Sequence, residues 1–116
     1  MSMKLLHNPR WGKSRQTKQL LEDNNVSFEV IEYLKETPSA DELKSIVKAL
    51  GFASAHELMR TKDAAYKEQS VADLIGNEEA LVKAMVEYPS IIERPVLISG
   101  GKAAIGRPPE NVLELI

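Results

Sequence analysis

Cysteine is absent from all 116 residues of the chain. The sequence therefore provides no disulfide bond, no thiolate nucleophile and no thiolate metal ligand. Disulfides are characteristic of oxidising compartments. A chain without them is expected in the cytoplasm, although a lack of cysteine does not by itself prove a reducing environment.

Long apolar runs are also absent. No segment approaches the ~20 consecutive apolar residues that a membrane-spanning helix needs, and the start lacks the apolar region of a signal peptide. We therefore expect no membrane association. The composition, with 43% hydrophobic and 28% charged residues, is that of a globular protein. The length predicts a single domain, residues 1–116.

Acidic residues are missing from the first 21 positions, although the chain as a whole has a formal net charge of −2. The same segment holds five cations, which are Lys4, Arg10, Lys13, Arg15 and Lys18. This local charge favours a small anion over a nucleic acid, which would favour a broader basic face. Solvated surface charges are the alternative. We expect a monomer without a nucleic-acid partner.

The first forty residues predict a strand, a helix and a second strand. The run MKLLH is typical of a buried strand, and SFEVIEY alternates as a strand does. Ser14 is a candidate N-cap for the helix between them, which Asn24 and Asn25 end. A right-handed crossover makes the two strands parallel.

The middle of the chain predicts helices. Their capping signals are Ser39 with Glu42, Ser54 with Glu57, and Asn77. Gly51 follows the first of these helices in the position that favours a left-handed residue. Pro89 ends the last one.

The C-terminal part returns to β structure. RPVLISGGKAAIG predicts a hairpin that turns at Ser99-Gly100-Gly101, and RPPENVLELI predicts a final helix. The order β-α-β, helical block, β-β-α predicts an α/β fold, with a thioredoxin-like core, a four-stranded mixed sheet and an all-helical insertion. The core spans about residues 1–37 and 90–116, and the insertion about residues 38–89.

Five sequence blocks occur in a specific order along the chain: HNPRWGKSRQT, YLKETPSADEL, LMRTKD, ERPVLI and IGRPPENVL. Together they resemble the ArsC-type arsenate reductases of the glutaredoxin-coupled branch, and are most similar to the shorter arsenate-reductase-related members. The resemblance runs from Lys4 to Ile116. One block alone is weak evidence, whereas five blocks in family order are specific.

The resemblance implies a departure at the nucleophile. In that family a cysteine two residues after HNP attacks arsenate, glutathione attacks the adduct, and glutaredoxin resolves the mixed disulfide. That position is Trp11 here, and His7 and Ser14 match the residues that flank and tune the cysteine. Reduction needs a thiolate, whose sulfur ends in a disulfide. Since indole has no such two-electron couple, we expect the intrinsic reaction to be lost.

The side chain of Trp11 leaves two alternatives open. In the first, the indole fills the oxyanion pocket and the site is inactive. In the second, it lies across the mouth of that pocket and presents its Nε1–H as a hydrogen-bond donor.

The resemblance also implies an oxyanion site formed by Arg60, Arg94 and Arg107. Guanidinium groups suit tetrahedral oxyanions because two N–H bonds can meet two oxygens. The alternative is ordinary pairing with carboxylates. Pro95 matches the proline that thioredoxin-like folds place in cis beside this loop.

The start of the first helix is a second candidate for anion binding. The loop and helix positions concerned are Asn8, Gly12, Lys13 and Arg15. Lys13 and Arg15, together with Arg10, could hold a carboxylate of glutathione or an acidic patch of a protein partner. The alternative is that these three cations are solvated. His56 lacks metal-ligand spacing, so we expect a structural role and no metal site. We expect no bound cofactor, and glutathione as a possible co-substrate or ligand.

Three functional hypotheses follow. The first is an oxyanion- or thiol-binding relative without redox activity. The second is a reductase that uses an external thiol, coupled to glutathione or glutaredoxin. The third is a protein-interaction module similar to the Spx regulators of the same family, which usually carry a CxxC switch that is missing here.

Overall fold

The computed structural model describes residues 3–116, in which four strands form one mixed sheet. The strands are β1 (Met3–His7), β2 (Glu29–Glu32), β3 (Val96–Ser99) and β4 (Lys102–Ile105), in the order β2-β1-β3-β4. β1 pairs with β2 in parallel and with β3 antiparallel, and β3 pairs antiparallel with β4. The predicted mixed sheet and hairpin are confirmed. Residues 1 and 2, which the predicted domain includes, lie outside the described part.

The central position of β1 explains its uninterrupted apolar run. Leu5 lies opposite Val30 on one side and Leu97 on the other. Both Leu5 and the next residue, Leu6, are buried. A strand covered on both faces has no solvent side, so it does not alternate. β1 therefore ends inside the protein, and the loop that follows it starts from a fixed point.

The first helix, α1 (Gly12–Asp23), starts earlier than predicted. Its N-cap is Trp11, with an extended backbone and no side-chain capping bond. Ser14, the predicted N-cap, lies inside the first turn, so that prediction is wrong. The reason is tertiary: the hydroxyl of Ser14 is buried and bonded to groups before the helix. Asn24 is the C-cap, as expected.

An apolar cluster fastens α1 to one face of the sheet. Leu21 of α1 packs with Leu5, Leu97 and Val112, all fully buried. Burial of a leucine or valine side chain stabilises a fold by about 1.5–3 kcal/mol. Val112 belongs to the last element, Pro109–Leu115, which is a 3₁₀ helix. Tighter 3₁₀ turns are common in short segments, so the prediction of a helix was right in place but not in type.

Residues 37–93 form the helical part of the chain. It contains α2 (Ala40–Ala49), α3 (Ala64–Glu68) and α4 (Glu78–Glu87), with 3₁₀ turns at Ala55–Leu58, Val71–Leu74 and Pro89–Ile91. The sequence pattern does not predict α3, which is too short to show periodicity.

The predicted helix boundaries in this part are confirmed. Both capping boxes form, between Ser39 and Glu42 and between Ser54 and Glu57. The side chain of Asn77 accepts a hydrogen bond from the backbone N–H of Ala80. Gly51 has a positive φ of 76° after α2. The turn after Ser54 is a 3₁₀ helix, because it is only four residues long.

The described chain divides into two compact units. We call residues 3–36 with 94–116 the core unit, and residues 37–93 the helical unit. Within residues 3–116, no helix has the length and apolar character needed to cross a membrane.

Gly106 marks a close approach within the core unit. A Cβ atom there would lie 2.6 Å from Thr17 Oγ1 and 2.8 Å from Pro95 Cγ. The backbone N–H of Gly106 donates to the carbonyl of Pro95 at 2.9 Å. Only a residue without a side chain allows β4 to end against α1 and Pro95 together.

Substitution of Gly106 should therefore destabilise the fold. We expect Gly106→Ala to lower the free energy of unfolding by about 1–3 kcal/mol, the typical cost of overpacking a dense interior. Urea denaturation followed by circular dichroism measures this. Gly101→Ala is the matched control, since its Cβ would have no neighbour within 4 Å. Equal stability of the two variants would contradict the close approach.

Candidate functional site

The loop between β1 and α1 is held closed by one backbone and two side-chain hydrogen bonds. The N–H of Trp11 donates to the carbonyl of Asn8 at 3.1 Å. The N–H of Arg10 donates to Asn8 Oδ1, also at 3.1 Å. Arg15 reaches back from α1, and its Nη1 donates to the carbonyl of Pro9 at 2.9 Å. The loop is thus a defined turn that presents Trp11 at the first residue before the helix.

Ser14 ties this loop to the end of β1. Its Oγ accepts a hydrogen bond from the backbone N–H of Asn8 at 3.0 Å and lies 2.7 Å from Nδ1 of His7. All three residues are buried. Because Oγ already accepts one hydrogen bond, its proton can be donated to a neutral His7. His7 at the end of β1 is thus joined by a hydrogen bond to the first turn of α1.

The surroundings of His7 favour its neutral form. Burial lowers the pKa of His7 below its ordinary value, and the nearby charges of Lys18 and Arg15 lower it further, while Glu32 opposes them. Nδ1 of a neutral imidazole can accept a hydrogen bond from the hydroxyl of Ser14. The pair is therefore a buried hydrogen bond, and the hydroxyl of Ser14 is not accessible as a nucleophile.

Trp11 covers the guanidinium group of Arg94. The Arg94 Cζ atom lies 3.9 Å from the centroid of the indole ring, which is cation–π geometry. Arg94 is 4% exposed, whereas Trp11 is 46% exposed. The ring therefore lies at the surface over a buried cation and does not fill an interior pocket. The Arg94–Pro95 peptide bond that follows is cis.

Arg60 lies in the helical unit and pairs with a carboxylate. Its Nη1 lies 3.0 Å from Oδ2 of Asp63, and both side chains are largely buried. The other oxygen of Asp63 accepts from the N–H of Ala65 at 2.9 Å and from Ser90 Oγ at 3.2 Å. The positive charge of Arg60 is thus balanced within the helical unit itself.

Sequence reasoning missed Asp63, although a signal was present. Asp63 is the N-cap of α3 and stands three residues after Arg60. An aspartate before Ala64 and Ala65 is a capping pattern. The helix that it caps has only five residues, which is too short to show helical periodicity in the sequence.

The remaining predicted positions are exposed or structural. Arg107 is exposed at the end of the core unit, before a second cis peptide bond that links it to Pro108. Gly12 and Lys13 are exposed in the first turn of α1. The convergence of Arg60, Arg94 and Arg107 on one anion stays a prediction.

His56 contacts Tyr66 in the helical unit. Its Nε2 lies 2.6 Å from the hydroxyl of Tyr66. This hydrogen bond links the turn at Ala55–Leu58 to α3, in keeping with the structural role expected from the sequence. Within the described residues, no three histidine, aspartate or glutamate side chains are grouped so that they could hold a metal ion.

The mixed sheet, the loop that joins β1 to α1 and the cis proline before β3 define a thioredoxin-like α/β protein. A sequence model of the ArsC family matches residues 6–115. The chain belongs to the ArsC family.

Relatives of similar length support this assignment. The uncharacterized protein YfgD of Escherichia coli K12 is 50% identical over 98% of this chain and 96% of its own. The arsenate reductase of Neisseria meningitidis serogroup A is 44% identical over 95% of this chain and 94% of its own. The solved structure of an arsenate reductase from Vibrio cholerae superposes with a TM-score of 0.95 at 43% identity, covering 100% of this chain and 98% of that one.

The lowered pKa of His7 predicts a pH dependence of stability. The unfolded chain takes up a proton near the ordinary value of about 6.5, whereas folded His7 takes it up only at lower pH. The stabilising contribution is therefore complete above about pH 6.5 and is lost as the pH falls. We expect a slope of at most about 1.4 kcal/mol per pH unit from this residue, measured by urea denaturation between pH 7 and pH 5.

Two variants isolate this contribution. His7→Asn keeps an acceptor for Ser14 but cannot titrate, so the slope should decrease. His56→Asn is the matched control for the substitution itself, since it replaces the other histidine of the chain. An unchanged slope in His7→Asn would contradict the prediction.

Proposed function

We propose that this protein is a binding member of the ArsC family. It holds a small oxyanion, or the thiol glutathione, at the β1–α1 loop and Arg94, without reducing it. The observation that carries this proposal is the stack of Trp11 on Arg94 in a chain that has no cysteine. The resemblance assigns the position of Trp11 to the family nucleophile.

The absence of reduction follows from electron transfer. Conversion of arsenate to arsenite takes two electrons, which a thiol pair supplies as it becomes a disulfide. Trp11, His7 and Ser14 have no such couple. An external thiol would have to act without the proximity of a fixed cysteine, which is often equivalent to about 10⁵ M or more.

The retention of binding follows from the geometry of Arg94. The indole occupies a face of the guanidinium group, while the N–H donors lie in the guanidinium plane. The stack itself therefore leaves the edge of the guanidinium group uncovered by the ring, and this edge is where we propose that the anion binds. The side chain of the N-cap residue, Trp11, makes no capping hydrogen bond to the backbone N–H groups in the first turn of α1. Such N–H groups at helix N-termini favour anions.

A reductase that uses external thiols is the second candidate. The names of the 44% identical relative and of the Vibrio cholerae structure favour it. In such a reaction one thiol forms an As–S bond as water leaves. A second thiol then attacks that sulfur, giving arsenite and a disulfide. Glutathione and glutaredoxin are the thiols that the family resemblance implies.

Binding without turnover is the expected result for the unmodified protein. Trp11 is the only tryptophan, so its emission should change when arsenate, phosphate or glutathione binds beside it. We expect a saturable change at millimolar ligand, because the ligand binds beside Trp11 at the surface, where ion pairs contribute little. Arsenite formation with glutathione and glutaredoxin should equal that of a blank without the protein.

Arg94→Gln should lose the emission response, whereas Lys102→Gln, which removes an exposed cation on β4, should keep it. Arsenite production above the blank would overturn the proposal and support the second candidate.

Replacement of Trp11 by cysteine should restore the missing chemistry. Trp11→Cys places a thiol beside Arg94 at the start of α1, where thiolates are stabilised. We expect arsenite formation at least about 100-fold above that of the unmodified protein, because the nucleophile becomes intramolecular. Trp11→Ser is the control, since it removes the indole without adding a thiol. A folded but inactive Trp11→Cys variant would show that the rest of the site no longer supports reduction.

A further inference from the structure

A concave site lies in the core unit, between α1 and the edge strand β2. It is an open groove of about 460 Å³, within the usual range of about 300–1,000 Å³ for small-ligand sites. We call it the α1–β2 groove. Its lining includes His7, Arg15, Lys18, Glu22, Val30 and Glu32.

The fold brings these residues together for simple geometric reasons. Arg15, Lys18 and Glu22 are spaced by three and four residues, so they share one face of α1. Val30 and Glu32 are two residues apart on β2 and point to the same face. Residues His7 and Glu32 are direct partners in the parallel register.

The charges of the α1–β2 groove are mixed. Lys18 and Glu22 form an ion pair along the helix at 3.4 Å. Arg15 uses one N–H for the carbonyl of Pro9, and the rest of its guanidinium fork remains for a ligand. Glu32 lies 3.9 Å from the exposed Lys35. The groove therefore presents a cation on α1 facing a carboxylate on β2.

His7 adds a neutral polar group at one end. Its Nδ1 is engaged by Ser14 at 2.7 Å, which leaves Nε2 as the nitrogen that can meet a ligand. Val30 is partly buried and offers apolar surface. A simple inorganic anion would be repelled by the two carboxylates, while a simple cation would be repelled by Arg15 and Lys18.

We propose that the α1–β2 groove binds a small zwitterion, namely an amino acid or a short peptide. Its carboxylate lies against Arg15 and Lys18, and its ammonium group lies against Glu32. This site goes beyond the oxyanion proposal, since neither Trp11 nor Arg94 lines it.

Glycylglycine is a suitable probe, and His7 is a suitable reporter. The chain has two histidines, so the imidazole Cε1–H signals can be followed separately by proton NMR at constant pH. We expect glycylglycine to shift the signal of His7 and not that of His56, with a dissociation constant on the order of millimolar, because exposed ion pairs contribute up to about 1 kcal/mol each. N-acetylglycine and glycinamide each lack one charge and should bind roughly three- to fivefold more weakly.

Two matched variants test the role of the strand. Glu32→Gln should weaken glycylglycine roughly three- to fivefold and abolish its advantage over N-acetylglycine. Glu29→Gln makes the same charge change on the opposite face of β2 and should have no effect. Lys102→Gln, which removes an exposed cation of β4 outside the groove, should leave binding unchanged. Absence of a His7 shift, or equal shifts with all three probes, would overturn the proposal.

Discussion

The burial of Arg94 constrains the arrangement of the loop around it. A guanidinium group that is 4% exposed has lost most of its water, which is costly unless protein groups compensate. The face of Trp11 supplies part of that compensation at 3.9 Å. The ring can lie there only because the turn from Asn8 to Trp11 is closed by its own hydrogen bonds. The exposure of Trp11 is thus a consequence of covering a buried charge.

A buried polar network also holds the β1–α1 loop in position. Ser14 joins the end of β1 to the loop through His7 and the N–H of Asn8. In the family chemistry, the matching residues accompany a cysteine. Here Nδ1 of His7 and the N–H of Asn8 both bond to the hydroxyl of Ser14, so the network holds the loop in place without needing a reactive atom. Its presence therefore supports a defined binding surface but does not imply catalysis.

In the helical unit, an arginine that the family resemblance assigns to anion binding is paired with a carboxylate of the protein itself. Arg60 faces Asp63, whose second oxygen is bound by Ala65 and Ser90. A cation that already has a partly buried counter-charge does not require an external anion. Arg94 lies in the core unit, where it stacks on the ring of Trp11 beside the β1–α1 loop. Its place beside that loop is the reason for assigning it to the proposed binding site.

The local elements could be read from the sequence, because their signals lie within a few neighbouring residues. The capping boxes at Ser39 and Ser54, the cap at Asn77 and the hairpin turn after Ser99 were all recognisable in this way. By contrast, only the tertiary structure revealed that Ser14 is a buried bridge, that Gly106 meets α1, that Trp11 covers Arg94 and that α1 and β2 enclose a groove of mixed charge. Each of these depends on groups brought together from different elements, and hydrogen-bond, steric and charge energies depend on distances that no local pattern contains.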